Sequence, residues 1–254
     1  MKVKHKYYSW DIKTIVEVDS TMNEINKLAN AGADPGLVLV AESQTLGRGR
    51  QGRKWVSPKG NLYCSMLISP PLNKELPNSV LAFVAGISVV EAIVDITSGA
   101  VCPNLKWPND IIVSGKKIAG ILIEGKSVGS SIVSYFIGIG VNLKSHPKNL
   151  KSISTDIFSI SGLNITSTQT VKKIIERIDV WLFRMESEGF EIIRKRWLDL
   201  SIKIGSNIKV NTSDITIHGI FKGLSLDGSL LLQTQQGNII NILSGDVSQV
   251  EKNE

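Results

Sequence analysis

The sequence predicts an α+β chain in two parts, with helices around mixed strands up to about residue 200 and a small all-β module after it. Three observations carry that prediction. The segment Ser79–Thr97 is apolar or small on nearly every side of a helix, with acids only at Glu91 and Asp95, so it belongs buried against a sheet. Apolar runs of strand length flank it, and two further helical periods follow at Thr170–Glu186 and Phe190–Leu200. Beyond Leu200 the pattern breaks into short runs separated by Asp227-Gly228 and Gln236-Gly237, both hairpin signals.

The elements follow in order. Met22, Ile25, Leu28 and Ala29 repeat at helical spacing across Ser20–Ala31, with Asp19, Ser20 or Thr21 to cap the start and Gly32 to stop it. Leu37–Ala41, after Pro35-Gly36, is a continuous apolar run and reads as a buried strand. Residues 42–60 have no period, four glycines and a cluster of cations, and so read as a loop. Leu62–Ser69 resumes strand character and ends at Pro70-Pro71. Ile111–Val113, Lys117–Ile123 and Ile132–Leu143 are the next strands, the first two joined by the turn Val113-Ser114-Gly115-Lys116. Ile208–Val210, Ile215–Phe221, Ser229–Gln233, Ile239–Ile242 and Val247–Val250 complete the chain. Five short strands in so small a module predict a small barrel. The expected division is residues 1–200 and 201–254.

Composition excludes several classes. With 42% hydrophobic and 20% charged residues in 254, the chain can bury a full core and is not disordered. Two cysteines exclude a disulfide scaffold and a Cys-only zinc site, and three scattered histidines argue against a catalytic metal cage. A net charge of +6 favours an anionic ligand or an acidic partner. No run reaches the ~18 apolar residues of a membrane span, and the basic start lacks the apolar stretch of a secretory signal. A soluble, cytoplasmic protein with reduced thiols is the expectation.

Three constellations could carry chemistry. In Gln44-Thr45-Leu46-Gly47-Arg48-Gly49-Arg50-Gln51-Gly52-Arg53-Lys54-Trp55, glycines free the backbone to wrap a ligand while guanidinium forks reach phosphate or carboxylate oxygens. Trp55 adds a flat ring. No Walker loop is present, and spacing alone equally admits a solvated basic loop or a nucleic-acid tether. In Lys106-Trp107-Pro108-Asn109-Asp110, followed by Lys117-Ile118-Ala119-Gly120-Ile121-Leu122-Ile123-Glu124, Asp110 and Lys117 flank a hairpin and could face one site. An Asx turn and a snorkelling lysine would satisfy the same spacing. In Gly138-Ile139-Gly140-Val141-Asn142, alternate glycines leave one strand face bare, and Asn142 offers a donor and an acceptor to a purine edge.

Taken in order, with Asp19-Ser20-Thr21-Met22-Asn23 ahead and Leu226-Asp227-Gly228 and Ser244-Gly245-Asp246-Val247 behind, these motifs resemble the biotin–protein ligase family over roughly residues 10–250. The resemblance implies a mixed-sheet catalytic domain followed by an SH3-like β-barrel. It implies that Ser20, Thr21, Met22 and Gln44 line a biotin pocket, where many members have Asn at the position of Met22. Arg48, Gly49 and Arg50 would close over biotin and phosphate. Lys117 matches the catalytic lysine, with Arg50 and Asp110 beside it, and Arg48, Arg50, Trp55, Lys106, Asn109, Lys117 and Asn142 would hold ATP and the adenylate. The implied reaction joins biotin to ATP as biotinyl-5′-AMP, with Mg²⁺ on the phosphates. It then passes biotin to a lysine of a biotin carboxyl carrier protein or of a carboxylase's carrier domain. Metal ligands are unassigned, and a homodimer is left open. Members that repress transcription carry a winged helix ahead of the Asp-Ser-Thr motif; here that motif starts at Asp19, so a ligase-only chain without DNA binding is expected. A lipoate–protein ligase is the nearest alternative, and a nucleic-acid-binding module a more distant one. The second predicts aromatics over a β-surface, where the C-terminal module has only Phe221.

Overall fold

Alternating side chains set the two faces of the main sheet. The computed structural model describes residues 2–4, 8–69, 78–128, 131–147 and 154–249. Its first part runs β1 (Lys2–Lys4), β2 (Ser9–Val18), α1 (Thr21–Asn30), β3 (Leu37–Gln44), β4 (Leu62–Ile68) and α2 (Asn78–Ile96). It continues through β5 (Asn104–Lys106), β6 (Asp110–Val113), β7 (Lys116–Val128), β8 (Ser131–Val141), α3 (Ile157–Ser161), α4 (Ser167–Glu188) and α5 (Phe190–Leu200). The strands order as β1-β2-β3-β4-β8-β7-β6-β5, with β2 and β3 parallel and the other neighbours antiparallel. This is a mixed sheet of the α+β kind that the sequence predicts.

Leu37 and Leu39 turn to one face of β3, where α1 packs Met22 and Ile25 with them and with Leu67 and Phe136. Val38 and Val40 turn to the other, into a larger core shared with α2, α4 and α5. That pairing of helices explains why α2 is apolar almost all round: one side meets the sheet and another meets α4 and α5. The acids of α2, Glu91 and Asp95, face the other helices: Glu91 accepts from Trp181 of α4 and Arg196 of α5 at 2.8–2.9 Å, and Asp95 accepts from Arg177 of α4.

A second sheet follows, β9 (Asn207–Asn211), β10 (Thr216–Leu224), β11 (Leu230–Thr234), β12 (Ile239–Ile242) and β13 (Asp246–Gln249), ordered β12-β11-β10-β9-β13 and antiparallel throughout. Its core residues Phe221, Leu230, Leu232 and Val247 belong to the same buried cluster as the main domain. Arg194 of α5 donates to the Leu224 carbonyl at 2.9 Å across the junction.

Some segments differ from the sequence reading. Ser9–Val18 is a ten-residue strand beyond the sequence reading; Trp10, Ile12, Val16 and Val18 share one face and Ile15 takes the other, but only Trp10 is fully buried. The stretch read as a loop from residue 42 still belongs to β3 up to Gln44, because Ser43 and Gln44 pair with Glu17 and Val18 of that unanticipated strand. Pro70-Pro71 and Val250 lie outside the described residues.

Candidate active site

The floor of the site is bare backbone. On the α1 face of the sheet, Phe136 of β8 lies under the helix, and the next residues of that face are Gly138 and Gly140. Opposite them on β7 stand Leu122 and Gly120. A cavity of about 1380 Å³ opens over these glycines, large enough for a nucleotide and a second small molecule together. A Cβ at Gly138 would lie 2.8 Å from the Met22 sulfur, and one at Gly140 would lie 2.5 Å from the Trp55 indole. The alternate glycines therefore exist to admit flat or bulky groups onto the sheet.

A bulge aims the lysine. Asp110 pairs with Gly120 and Ile111 with Ala119, but Ile112 then pairs with Lys117, one residue out of step. In a regular strand Lys117 and Gly120 would point to opposite faces; the extra residue returns Lys117 to the cavity side. The bulge is held by Asn142 N–H on the Ile118 carbonyl at 2.8 Å and Thr155 N–H on the Lys117 carbonyl at 2.9 Å. Lys117 Nζ then sits 2.5 Å from Asp110 Oδ1, and Lys106 Nζ 2.9 Å from Asp110 Oδ2. Burial works to raise the Asp110 carboxyl, but Lys117 and Lys106 outweigh it and hold the group below the usual carboxylate range. Two ammonium groups on one carboxylate leave a local charge of about +1 facing the cavity.

The Gly-Arg loop crosses above. Arg48 spans Glu124 at 2.6 Å and Asn23 at 3.0 Å, and Arg50 donates to Asn109 Oδ1 at 2.9 Å. Asn109 in turn donates to the Ile121 carbonyl at 2.7 Å, so the Lys-Trp-Pro-Asn-Asp turn anchors the loop to β7. Gln51 takes a positive φ of 54° at the tip, and Gly49 N–H closes on the Arg53 carbonyl at 2.7 Å. Trp55 lies over Gly140 and Gly120, with Lys117 Nζ 5.2 Å from its ring centroid.

At the other end, Thr21 is locked: its N–H and hydroxyl both donate to Gln44 Oε1, at 2.8 and 3.1 Å, and it accepts from Ser65 at 2.8 Å. Gln44 Nε2 donates to Ser57 at 2.9 Å. The Ser20 hydroxyl is different. It is buried, lines the cavity, and has no hydrogen-bond partner among the described residues, although it occupies the N-cap position of α1. A buried hydroxyl left this way fits a ligand that completes it.

Every candidate position read from the sequence lines this one cavity: Ser20, Thr21, Met22 and Gln44 at one end, Arg48, Gly49, Arg50 and Trp55 above, Lys106, Asn109, Asp110, Lys117 and Asn142 at the other. Asn142 is buried, 3% exposed, with its amide donating to the Thr155 carbonyl at 2.9 Å. Sequence reasoning missed Thr155, whose backbone braces both Lys117 and Asn142, and the register shift that turns Lys117 inward. Neither leaves a side-chain signal. It also gave no role to Asp246, which lines the cavity from the second sheet.

A sheet floored with glycine, a lysine–carboxylate–lysine cluster and an arginine loop above them define a site for joining two anionic small molecules. The chain belongs to the biotin/lipoate A/B protein ligase family, whose pattern matches residues 15–142, and the biotin protein ligase C-terminal domain matches residues 203–249. It is 35% identical over 237 residues to the bifunctional ligase/repressor BirA of Bacillus spizizenii, covering 91% of this chain and 71% of that protein. It is 32% identical over 228 residues to the biotin–[acetyl-CoA-carboxylase] ligase of Paracoccus denitrificans, covering 88% and 94%. The biotin protein ligase of Aquifex aeolicus in complex with biotin and ATP superposes with a TM-score of 0.81 at 32% identity, over 95% of this chain and 99% of that one.

Proposed function

We propose that the protein activates biotin with ATP as biotinyl-5′-AMP and transfers the biotinyl group to a lysine of a biotin carboxyl carrier protein or carrier domain, in the cytoplasm. The observation that carries the reading is Lys117, turned by a bulge onto Asp110 beneath the arginine loop, in a chain similar to ligases of that name. The carboxylate of biotin attacks the α-phosphorus, the bond to the β-phosphate oxygen breaks, and pyrophosphate leaves. The carrier amine then attacks the acyl carbon, loses a proton, and AMP leaves.

Both reactants of the first step are anions, and holding like charges 4 Å apart costs about 4 kcal/mol at an effective dielectric of 20. Lys117 is placed to offset that cost, which corresponds to about a thousandfold in rate. Asp110 restrains the Lys117 ammonium, and Arg50 reaches the phosphate side. Ser20, Thr21, Met22 and Gln44 form the biotin end, with Arg48 and Gly49 over it, while Trp55, Lys106, Asn109 and Asn142 form the nucleotide end. Mg²⁺ enters with the triphosphate as part of the substrate. The mixed anhydride is prone to hydrolysis, and the loop serves to exclude water. Residues 1–200 act as the catalytic part and 201–254 as the C-terminal module. The proposal assigns no role to DNA or a membrane; no helix among the described residues is long and apolar enough to cross one.

The test is adenylate formation with biotin compared with lipoate. Biotin-dependent appearance of biotinyl-5′-AMP and pyrophosphate is expected; lipoate turned over faster than biotin would overturn the choice of acid.

A further inference from the structure

The C-terminal sheet brings two of its motifs against the site. At the Asp227-Gly228 turn, the Gly228 carbonyl accepts from the Trp107 indole at 3.2 Å, which ties that sheet to the Lys-Trp-Pro-Asn-Asp turn. In Ser244-Gly245-Asp246-Val247, Asp246 is ion-paired through Oδ2 with Arg53 of the Gly-Arg loop. Gly245 sets that position: a Cβ there would lie 2.9 Å from the Asn211 carbonyl, and its φ is +157°. Only glycine lets the start of β13 press so closely on β9. Val247, the next residue, is buried, so Asp246 projects from a fixed strand toward the loop.

The two ends of the pair differ. Arg53 follows Gly52 at φ 71° and Gln51 at φ 54°, in a stretch whose side chains are exposed or half-buried. Three arginines moor this loop to three elements: Arg48 to Glu124 of β7, Arg50 to the turn at Asn109, and Arg53 to Asp246 of the second sheet. Beyond Asp246, Arg53 hydrogen-bonds through its side chain to Gln51 at 3.3 Å, and Arg53 and Asp246 both line the cavity, with Arg53 on the side of Asp110.

We propose that Asp246 is a positioning residue, the catch of a gate: by holding Arg53 it keeps the Gly-Arg loop shut over the cavity. This rests on the proposed function. Because the pair lies on the Asp110 side of the cavity and takes no part in the hydrogen bonds that hold Thr21 and Gln44, it biases the open and shut positions of the loop equally with and without ligand. Loosening it should therefore speed biotin uptake and biotinyl-5′-AMP loss by the same factor and leave equilibrium affinity unchanged. Side-chain exposures of 62% for Arg53 and 36% for Asp246 make this a surface pair, which limits the effect to about fivefold.

The experiment compares wild type with Asp246→Asn, with Arg53→Gln, and with the reversed pair Arg53→Asp/Asp246→Arg. Stopped-flow association of biotin and displacement of biotinyl-5′-AMP give the rates. Each single variant is expected to raise both by about two- to fivefold at constant Kd, and the reversed pair to restore them. Arg53→Gln, on the loop, serves if Asp246→Asn disturbs the sheet. A rise in the dissociation rate alone, with weaker affinity, would make Asp246 a ligand contact or a merely structural residue; unchanged rates would remove the gate. Wild type that forms no biotinyl-5′-AMP would sink the proposed function and the catch together. Wild type that forms it, with variant rates unchanged, would sink the catch alone.

Discussion

Replacing Lys117 with alanine should separate catalysis from folding. The side chain contributes one of the two positive charges that Asp110 balances, at 2.5 Å, with Lys106 supplying the other at 2.9 Å. Its removal takes the cluster from about +1 to about 0 just where two anions must meet. If that charge offsets the whole repulsion of about 4 kcal/mol, adenylation falls by about three orders of magnitude. Stability should change little. A buried carboxylate stripped of its partner costs about 3–5 kcal/mol, but here Asp110 keeps Lys106. The bulge itself rests on the backbone of residues 117 and 118, which alanine retains. The expected loss is below about 1 kcal/mol, a fall in Tm of at most about 2–4 °C. Pyrophosphate release under saturating biotin and ATP measures the first quantity and calorimetry the second. Turnover within tenfold of wild type would refute the electrostatic role, and a collapse of the thermal transition would make Lys117 structural.

Arg50→Gly removes the tie to Asn109 at 2.9 Å, so the adenylate should escape and label bystander proteins; albumin that stays as free of biotin as with wild type would argue against a lid. Gly140→Ala places a methyl group 2.5 Å from the Trp55 indole. Overpacking of that size should raise KM for ATP by about tenfold and spare biotin affinity, which isothermal titration would check. Asp156, buried at the start of α3, is driven upward by burial but held below the usual carboxylate range by His146 and the N–H and hydroxyl of Ser159. A depressed folded value means its stabilisation is complete above the ordinary carboxylate pKa of about 3.9 and is lost as pH falls through the folded value. Asp156→Asn should flatten the fall in stability below about pH 4; an unchanged acid limb would contradict this.

The long helices and the apolar strands were legible because their patterns are strong, whereas the short α3 and β5 offer too few residues for a period. The apolar α2 and the Leu-Val-Leu-Val run of β3 left little choice of partner. Strand β2 escaped because only Trp10 along it is fully buried and its charged residues mask the alternation. With β2 unread, the polar end of β3 looked like loop, since Ser43 and Gln44 are strand only by virtue of pairing with β2. The site was legible as a set of motifs, and the cavity gathers them. Its geometry was not, because the inward turn of Lys117 comes from a one-residue register shift, a property of pairing rather than of any residue. Asp246 reaches the loop only through the packing of two sheets, which no local pattern encodes.

The central claim is best tested by weighing a carrier domain after incubation with the protein, ATP, Mg²⁺ and biotin. The mass should rise by one biotinyl group, dependent on ATP and on biotin and abolished when the acceptor lysine is changed to arginine. A carrier of unchanged mass, in the presence of protein shown to be folded, would contradict the account.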